Sequence, residues 1–182
     1  MTRALIGLGA NLGRREEILR EAGARLRLLG GEGSFRASHL YESRPWGRGD
    51  QPDFLNAVVA IDVADEPESV LERLKRFESE LGRIERERWG PREIDLDLLD
   101  QGGRVLEGTA LTLPHPRIAE RAFVLVPLCE LDPTYVDPLT GRSAAEMLAA
   151  LDPDPEEVRL WGRFPEPPER RDAAAGSDLP GD

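Results

Sequence analysis

The order in which hydrophobic periods succeed one another over the first hundred residues constrains the fold of this chain more than any other feature. Residues 3–8 (RALIGL) are a short apolar run ending near glycine, which predicts a buried strand. In residues 15–29, Ile18, Leu19, Ala22, Leu26 and Leu29 recur near a 3.6-residue period, and Gly30 and Gly31 follow, predicting a helix and its stop. Residues 34–41 alternate, with Phe35, Ala37, His39 and Tyr41 on one side. Residues 42–53 (ESRPWGRGDQPD) carry the Pro and Gly of a loop. From Phe54 to Val63 the alternation is cleanest: Leu55, Ala57, Val59, Ile61 and Val63 share a face. Glu66 to Leu81 returns to helical period, with Val70, Leu74, Phe77 and Leu81 inward and Gly82 as the stop, and residues 93–99 (EIDLDLL) form a further strand.

Strand, helix, strand, strand, helix, strand is the split βαβ plan. It predicts an α+β protein with a ferredoxin-like βαββαβ core: a mainly antiparallel sheet, helices on one face, the other face open. C-terminal additions follow: a turn at Gln101–Gly103, a short strand near Val105, a proline-flanked loop around His115, a helix near Ala119 to Leu131 and another from Ser143 to Leu151. A chain of 182 residues suits one domain, expected over residues 1–161. Residues 162–182 are rich in Pro and charge without hydrophobic period, which predicts a disordered tail. The single Cys129 excludes an intrachain disulfide framework. No apolar run approaches the roughly 18 residues of a membrane helix, and the N-terminus lacks signal-peptide features, so a cytoplasmic protein without membrane partners is expected. The net charge of −11 opposes nucleic-acid binding, which needs basic surface.

Within this acidic chain, Asp95 and Asp97 are the strongest local signal. Residues i and i+2 of a strand share a face, so the carboxylates stand side by side while Ile94, Leu96 and Leu98 enter the core. Two readings compete: the polar side of an amphipathic strand, or a pair whose repulsion a cation relieves. Mg²⁺ suits the second, since it takes oxygen ligands from one or two carboxylates and from substrate phosphates. Arg83, Arg86, Arg88 and Arg92 precede the pair, with Trp89, Gly90 and Pro91 among them. Guanidinium groups bind phosphate bidentately, although a solvated loop paired with Glu85, Glu87 and Glu93 is the plainer alternative. Residues 83–92, after the helix-stopping Gly82, have few apolar anchors and predict a mobile lid over a polyphosphate, with Arg92 serving rate more than affinity. His115 lies between prolines in LPHPR, with Arg117 and Arg121 following; Glu78 sits on the buried edge of the second helix, where it could pair with an arginine or assist metal or loop placement. Phe54 and Asn56, beside Pro45–Trp46–Gly47, could hold a flat heteroaromatic ring, or pack the core and shape a turn. Gly7, Gly9 and Gly13 miss the dinucleotide fingerprint because Leu12 occupies its third glycine position, and Asn11 reads as a residue shaping the strand-to-helix turn.

Four blocks in order make the chain similar to the 6-hydroxymethyl-7,8-dihydropterin pyrophosphokinase family: GLGANLG (7–13), RPWGRGDQPDFLNAV (44–58), RWGPREIDLDLL (88–99) and LPHPRIAERAFVLVPL (113–128). The resemblance covers about residues 3 to 140 and thins to 160. It implies a monomer that uses ATP and two Mg²⁺, with attack of the pterin hydroxymethyl oxygen on the β-phosphorus and release of AMP. By motif position it implies that Asp95 and Asp97 hold the metals and that Arg83 and Arg92 contact phosphates or stabilise charge during transfer. Trp89, His115 and Arg121 fall at ATP-binding positions. Phe54 and Phe123 fall where a pterin ring is sandwiched, Asn56 on its polar edge, and Ser43, Pro45 and Gly47 along its pocket. The rival class is a non-catalytic ferredoxin-like nucleotide-binding regulatory module. An RNA-binding version should carry basic, aromatic-rich strands, and EIDLDLL is the opposite.

Overall fold

The computed structural model describes residues 1–45, 51–84 and 90–166, with the backbone alone for Glu32. The expected core is present: β1 (Thr2–Ala10), α1 (Arg15–Gly30), β2 (Arg36–Ala37), β3 (Leu40–Ser43), β4 (Phe54–Val63), α2 (Pro67–Glu80) and β5 (Asp95–Gln101). The sheet runs β5-β1-β4-β3 with every neighbouring pair antiparallel, the order a doubly split βαβ requires. β1 and β4 pair along their length, from Thr2↔Val63 to Ala10↔Leu55.

The alternating residues of β4 fall on the face predicted for them. Leu55, Ala57, Val59, Ile61 and Val63 join Ile6 and Leu8 of β1 and Leu96 and Leu98 of β5 under the two helices. Leu19, Ala22 and Leu26 of α1 and Val70 and Leu74 of α2 complete this layer, each fully buried. Burial of one such leucine or isoleucine contributes about 1.5–3 kcal/mol. Gly30 is set by close approach: a Cβ there would lie 2.5 Å from Ile61 Cβ, so only glycine lets the end of α1 rest on the sheet. α2 starts with Pro67 in its first turn, where a missing N–H costs nothing.

Three features depart from expectation. First, residues 34–41 are not one strand. A short 3₁₀ turn (Glu32–Ser34) precedes β2, and the chain breaks step at Ser38. The Ser38 hydroxyl accepts from Val58 N at 3.0 Å and donates to His39 O at 2.8 Å, so the side chain substitutes for ladder bonds. The break shifts the alternation: Phe35 and Ala37 pack on the α1/α2 layer, as does Leu40, while His39 and Tyr41 turn to Glu130 on the opposite face.

Second, the other face of the sheet is only half open. β6 (Leu106–Glu107) and β7 (Thr112–Leu113) form a small separate ribbon, followed by a 3₁₀ turn (Ile118–Glu120), α3 (Ala122–Leu131) and α4 (Ala144–Leu151). α3 is apolar nearly all round, as a helix between two packed layers must be. Its Leu125 and Leu128, with Ala144 and Met147 of α4, cover Leu5, Val58, Ala60 and Leu99 of the sheet. The Ser143–Glu146 capping box starts α4. The uncovered half carries the ends of β1, β4 and β5.

Third, the folded chain passes residue 161. β8 (Val158–Gly162) adds to the free edge of β3 in antiparallel register, Tyr41↔Leu160 among its pairs. Phe164 then packs on Phe35, ring centroids 5.9 Å apart, and Glu166 pairs with Arg27 at 2.9 Å. The boundary expected at 161/162 is therefore corrected; residues 167–182 of the expected tail lie outside the described residues.

Candidate active site

The uncovered half of the sheet owes its shape to two glycines. In the ladder, Gly7 sits opposite Asp97 on one side and Val58 on the other, and Gly9 opposite Asp95 and Asn56. Paired residues in an antiparallel ladder point the same way. The centre strand thus presents bare backbone between a carboxylate row and Asn56. The trough is the floor of a cavity of about 380 Å³.

The cavity's walls gather most of the residues picked from the sequence. Ser43, Phe54, Asn56 and Phe123 line one end, and Arg92, Asp95, Asp97, His115 and Arg121 the other. Arg83 is not part of the wall but reaches Asp95. Pro45 is half-buried and does not line it. Gly47 and Trp89, together with Arg86 and Arg88 and the middle half of the expected lid, lie outside the described residues.

At the acidic end, cations meet carboxylates in a chain. Arg83 Nη1 donates to Asp95 Oδ1 at 2.9 Å and also pairs with Glu78. Arg92 Nη1 donates to Asp95 Oδ2 at 2.6 Å, and Arg121 Nη1 to Asp97 Oδ2 at 3.2 Å. Asp95 Oδ1 and Oδ2 are thus each paired with a different guanidinium. Burial, then the neighbouring Asp97, still hold the Asp95 carboxyl above its ordinary range, against the pull of Arg92 and Arg83. Glu78 accepts from Leu96 N at 2.7 Å, which pins α2 to β5 beside the pair; burial pushes its carboxyl up to about 7 despite Arg83.

His115 is anchored by its backbone, which donates to Leu99 O at 2.7 Å. Its Nδ1 accepts from Arg117 N at 3.2 Å, which leaves the proton on Nε2. Burial, then the cations of Arg121 and Arg117, push the imidazole down to about 4. At neutral pH it is an uncharged hydrogen-bond donor.

At the other end Asn56, 4% exposed, has its amide orientation fixed: Nδ2 donates to Ser43 Oγ at 2.9 Å and Tyr41 O at 3.3 Å. Oδ1 turns over the trough, 3.5 Å from where a Cβ on Gly9 would sit. It offers an acceptor at the polar edge of a recess whose wall includes Phe54 and Phe123. The Arg121 guanidinium lies 5.7 Å from the Phe123 ring centroid, joining the two ends of the cavity.

Sequence reasoning missed four contributors. Gly7 and Gly9 form the floor, and the available signal was glycine at alternate positions of a strand rather than a nucleotide fingerprint. Arg44 and Gln51 line the cavity from the loop before β4, and no spacing marked them.

Fold and cavity together define the class: a ferredoxin-like α+β enzyme with one cleft suited to a polyanion at one end and a flat heterocycle at the other. The chain belongs to the 7,8-dihydro-6-hydroxymethylpterin-pyrophosphokinase (HPPK) family, whose sequence model matches residues 5–133. It is 42% identical over 149 residues to the 2-amino-4-hydroxy-6-hydroxymethyldihydropteridine pyrophosphokinase of Synechocystis sp., covering 82% of this chain and 76% of that one. To the enzyme of the same name from Methylorubrum extorquens it is 44% identical over 153 residues, covering 84% and 96%. Among solved structures, Plasmodium falciparum HPPK-DHPS with pteroate matches with a TM-score of 0.65 at 14% identity, a likeness of fold; it covers 82% of this chain and 44% of that longer one.

Proposed function

We propose that the enzyme transfers the β,γ-diphosphate of ATP to the hydroxymethyl oxygen of 6-hydroxymethyl-7,8-dihydropterin, releasing AMP, as a step of folate biosynthesis. The observation that carries this reading is the glycine-floored cavity, which sets a carboxylate–guanidinium row beside an amide-edged aromatic recess. A module that only sensed nucleotide would not need the second half.

In this reading Phe54 and Phe123 sandwich the ring. Asn56 Oδ1 accepts from its N–H edge, and Ser43 lines the same pocket. Arg92, Arg121, His115 and Trp89 bind ATP, and Arg83 backs Asp95 from behind the wall. The hydroxymethyl oxygen forms a bond to the β-phosphorus as the bond from that phosphorus to the α-phosphate oxygen breaks, and AMP carries that oxygen away. Phosphoryl-type transfer needs chiefly positioning and charge neutralisation. Arg83 and Arg92 stabilise the charge redistributed in the transition state, an effect typically worth about 10²–10³ in rate per preorganised group. His115 contributes a neutral N–H, so its role does not titrate near pH 6.5.

The carboxylates fit two Mg²⁺ ions. Asp95 and Asp97 are oxygen donors on one face, and burial beside Asp97 makes the Asp95 charge costly, a cost that a metal cation would lower. Among the described residues no group of three or more His, Cys, Asp or Glu side chains forms a metal site. The remaining ligands would therefore be water and substrate phosphates, as Mg²⁺ prefers. Bound there, the ions would neutralise phosphate charge. A monomer acting in the cytoplasm completes the reading; among the described residues no helix is long and apolar enough to cross a membrane.

The test is product identity. Incubation with Mg-ATP and the dihydropterin alcohol, followed by ³¹P NMR, should show AMP and a pterin diphosphate in equal amounts. ADP with a pterin monophosphate would mean ordinary kinase chemistry, and no turnover would favour the regulatory module.

A further inference from the structure

Asn11 follows the last residue of β1 and is 2% exposed. A turn-forming asparagine bonds its own backbone within a few residues. Asn11 instead bonds far along the chain in two directions. Its Oδ1 accepts from Arg92 N at 2.7 Å, and its own N donates to Arg92 O at 3.1 Å, so one residue holds Arg92 by both peptide groups. Its Nδ2 donates to Pro52 O at 3.0 Å and to Gln51 Oε1 at 3.3 Å. Arg92 and Gln51 both line the cavity, from opposite loops, and Pro52 precedes Phe54 by two residues. Asn11 itself is not in the cavity wall.

We propose that Asn11 is a positioning residue that couples the phosphate end of the cavity to the ring end, so that a ligand at one end strengthens binding at the other. The inference rests on the two-substrate reading above. A buried amide holding both loops gives them one shared arrangement. Releasing either loop strands a polar group out of water, which is costly. A ligand that fixes Arg92 therefore fixes the amide plane, and through it the approach to Phe54. A ring that orders residues 51–54 acts in reverse by the same amount, because coupling between binding sites is reciprocal.

The experiment measures binding of Mg²⁺-bound α,β-methylene-ATP and of 6-hydroxymethylpterin, each alone and with the other saturating. Wild type is compared with Asn11→Ala and Asn11→Asp, and melting temperature confirms folding. In wild type each ligand should tighten the other by about tenfold, within the usual span of coupling. Asn11→Ala should bind each ligand alone within about threefold of wild type, with the mutual effect reduced to about one, because each loop keeps its own ligand contacts while the side-chain hydrogen bonds that join the two loops are gone and only the backbone bond from Asn11 N to Arg92 O remains. Asn11→Asp keeps the acceptor for Arg92 N but turns an oxygen toward Pro52 O and Gln51 Oε1. It should bind nucleotide as wild type does and lose the coupling, and it carries the test if the alanine variant fails to fold. Coupling that survives in a folded variant overturns the proposal, as does its absence from wild type. Wild type that binds neither ligand overturns the two-substrate reading instead.

Discussion

Gly9→Ala should leave the fold intact and disable the enzyme. An added Cβ would meet Asn56 Oδ1 at 3.5 Å and Phe54 Cδ1 at 3.7 Å, both ordinary van der Waals separations, so nothing in the protein needs to move. Glycine in a strand interior costs about 0.5–1 kcal/mol relative to alanine, so stability should hold or rise, with a melting temperature up by at most about 1–4 °C at this chain size. The methyl group would nevertheless stand on the cavity floor, under the acceptor oxygen that meets the ring edge. In the proposed reaction, lifting the ring by about 1 Å would displace the attacking oxygen from the β-phosphorus, and a misplacement of that size can cost about 10²-fold in rate. The loss should fall on kcat and on KM for the pterin, with nucleotide affinity nearly unchanged. The assay is steady-state kinetics in both substrates, with calorimetry on the same preparation. Full kcat/KM in a folded Gly9→Ala variant would refute the placement of the ring over the β1 trough.

Asp95→Ala and Asp97→Ala should each abolish transfer while the protein still melts cooperatively, because the pair sits on the half-open face rather than in either core; near-native turnover at saturating Mg²⁺ in either variant would contradict the metal assignment of that residue. His115, pushed down to about 4 from an ordinary value near 6.5, is held neutral by the fold, so its contribution to stability is complete above pH 6.5 and is lost as pH falls through 4. His115→Gln should therefore lose about 3 kcal/mol less than wild type between pH 7 and pH 4 in urea titrations, and equal losses would contradict the burial argument. Phe164→Ala should lower stability by about 2 kcal/mol through its contact with Phe35, measured by denaturant unfolding, with kcat unchanged since it lies on the far side of the sheet from the cavity; no change in stability would mean that the segment after β8 contributes nothing.

Much of this was legible in the chain because period carries face. The alternation of β4 and the inward stripes of α1 and α2 fixed which residues meet, and the same rule set Asp95 beside Asp97. Where sequence reasoning fell short, side chains or distant segments replaced the regular pattern. At Ser38 a hydroxyl stands in for ladder bonds, so the alternation changes step without a glycine or proline to mark it. The strand VRLWG is short, flanked by Asp, Pro and Glu, and half exposed at the sheet edge, so it carries little periodic signal. The covering of the second face by α3 is a tertiary fact that no local pattern states, although a helix apolar on every side already requires two partners. The trough glycines were visible but read against the wrong template. Their meaning depends on which strands lie to either side, and that is decided only by the register of β1 with β4 and β5.

The most direct test of the account is a crystal structure of the protein with Mg²⁺, α,β-methylene-ATP and 6-hydroxymethylpterin. The account predicts the ring between Phe54 and Phe123 with its N–H edge on Asn56 Oδ1, metal density at Asp95 and Asp97, and the hydroxymethyl oxygen facing the β-phosphorus across Gly9. A ring bound away from the β1 trough, or a polyphosphate that avoids the Asp95–Asp97 row, would contradict it.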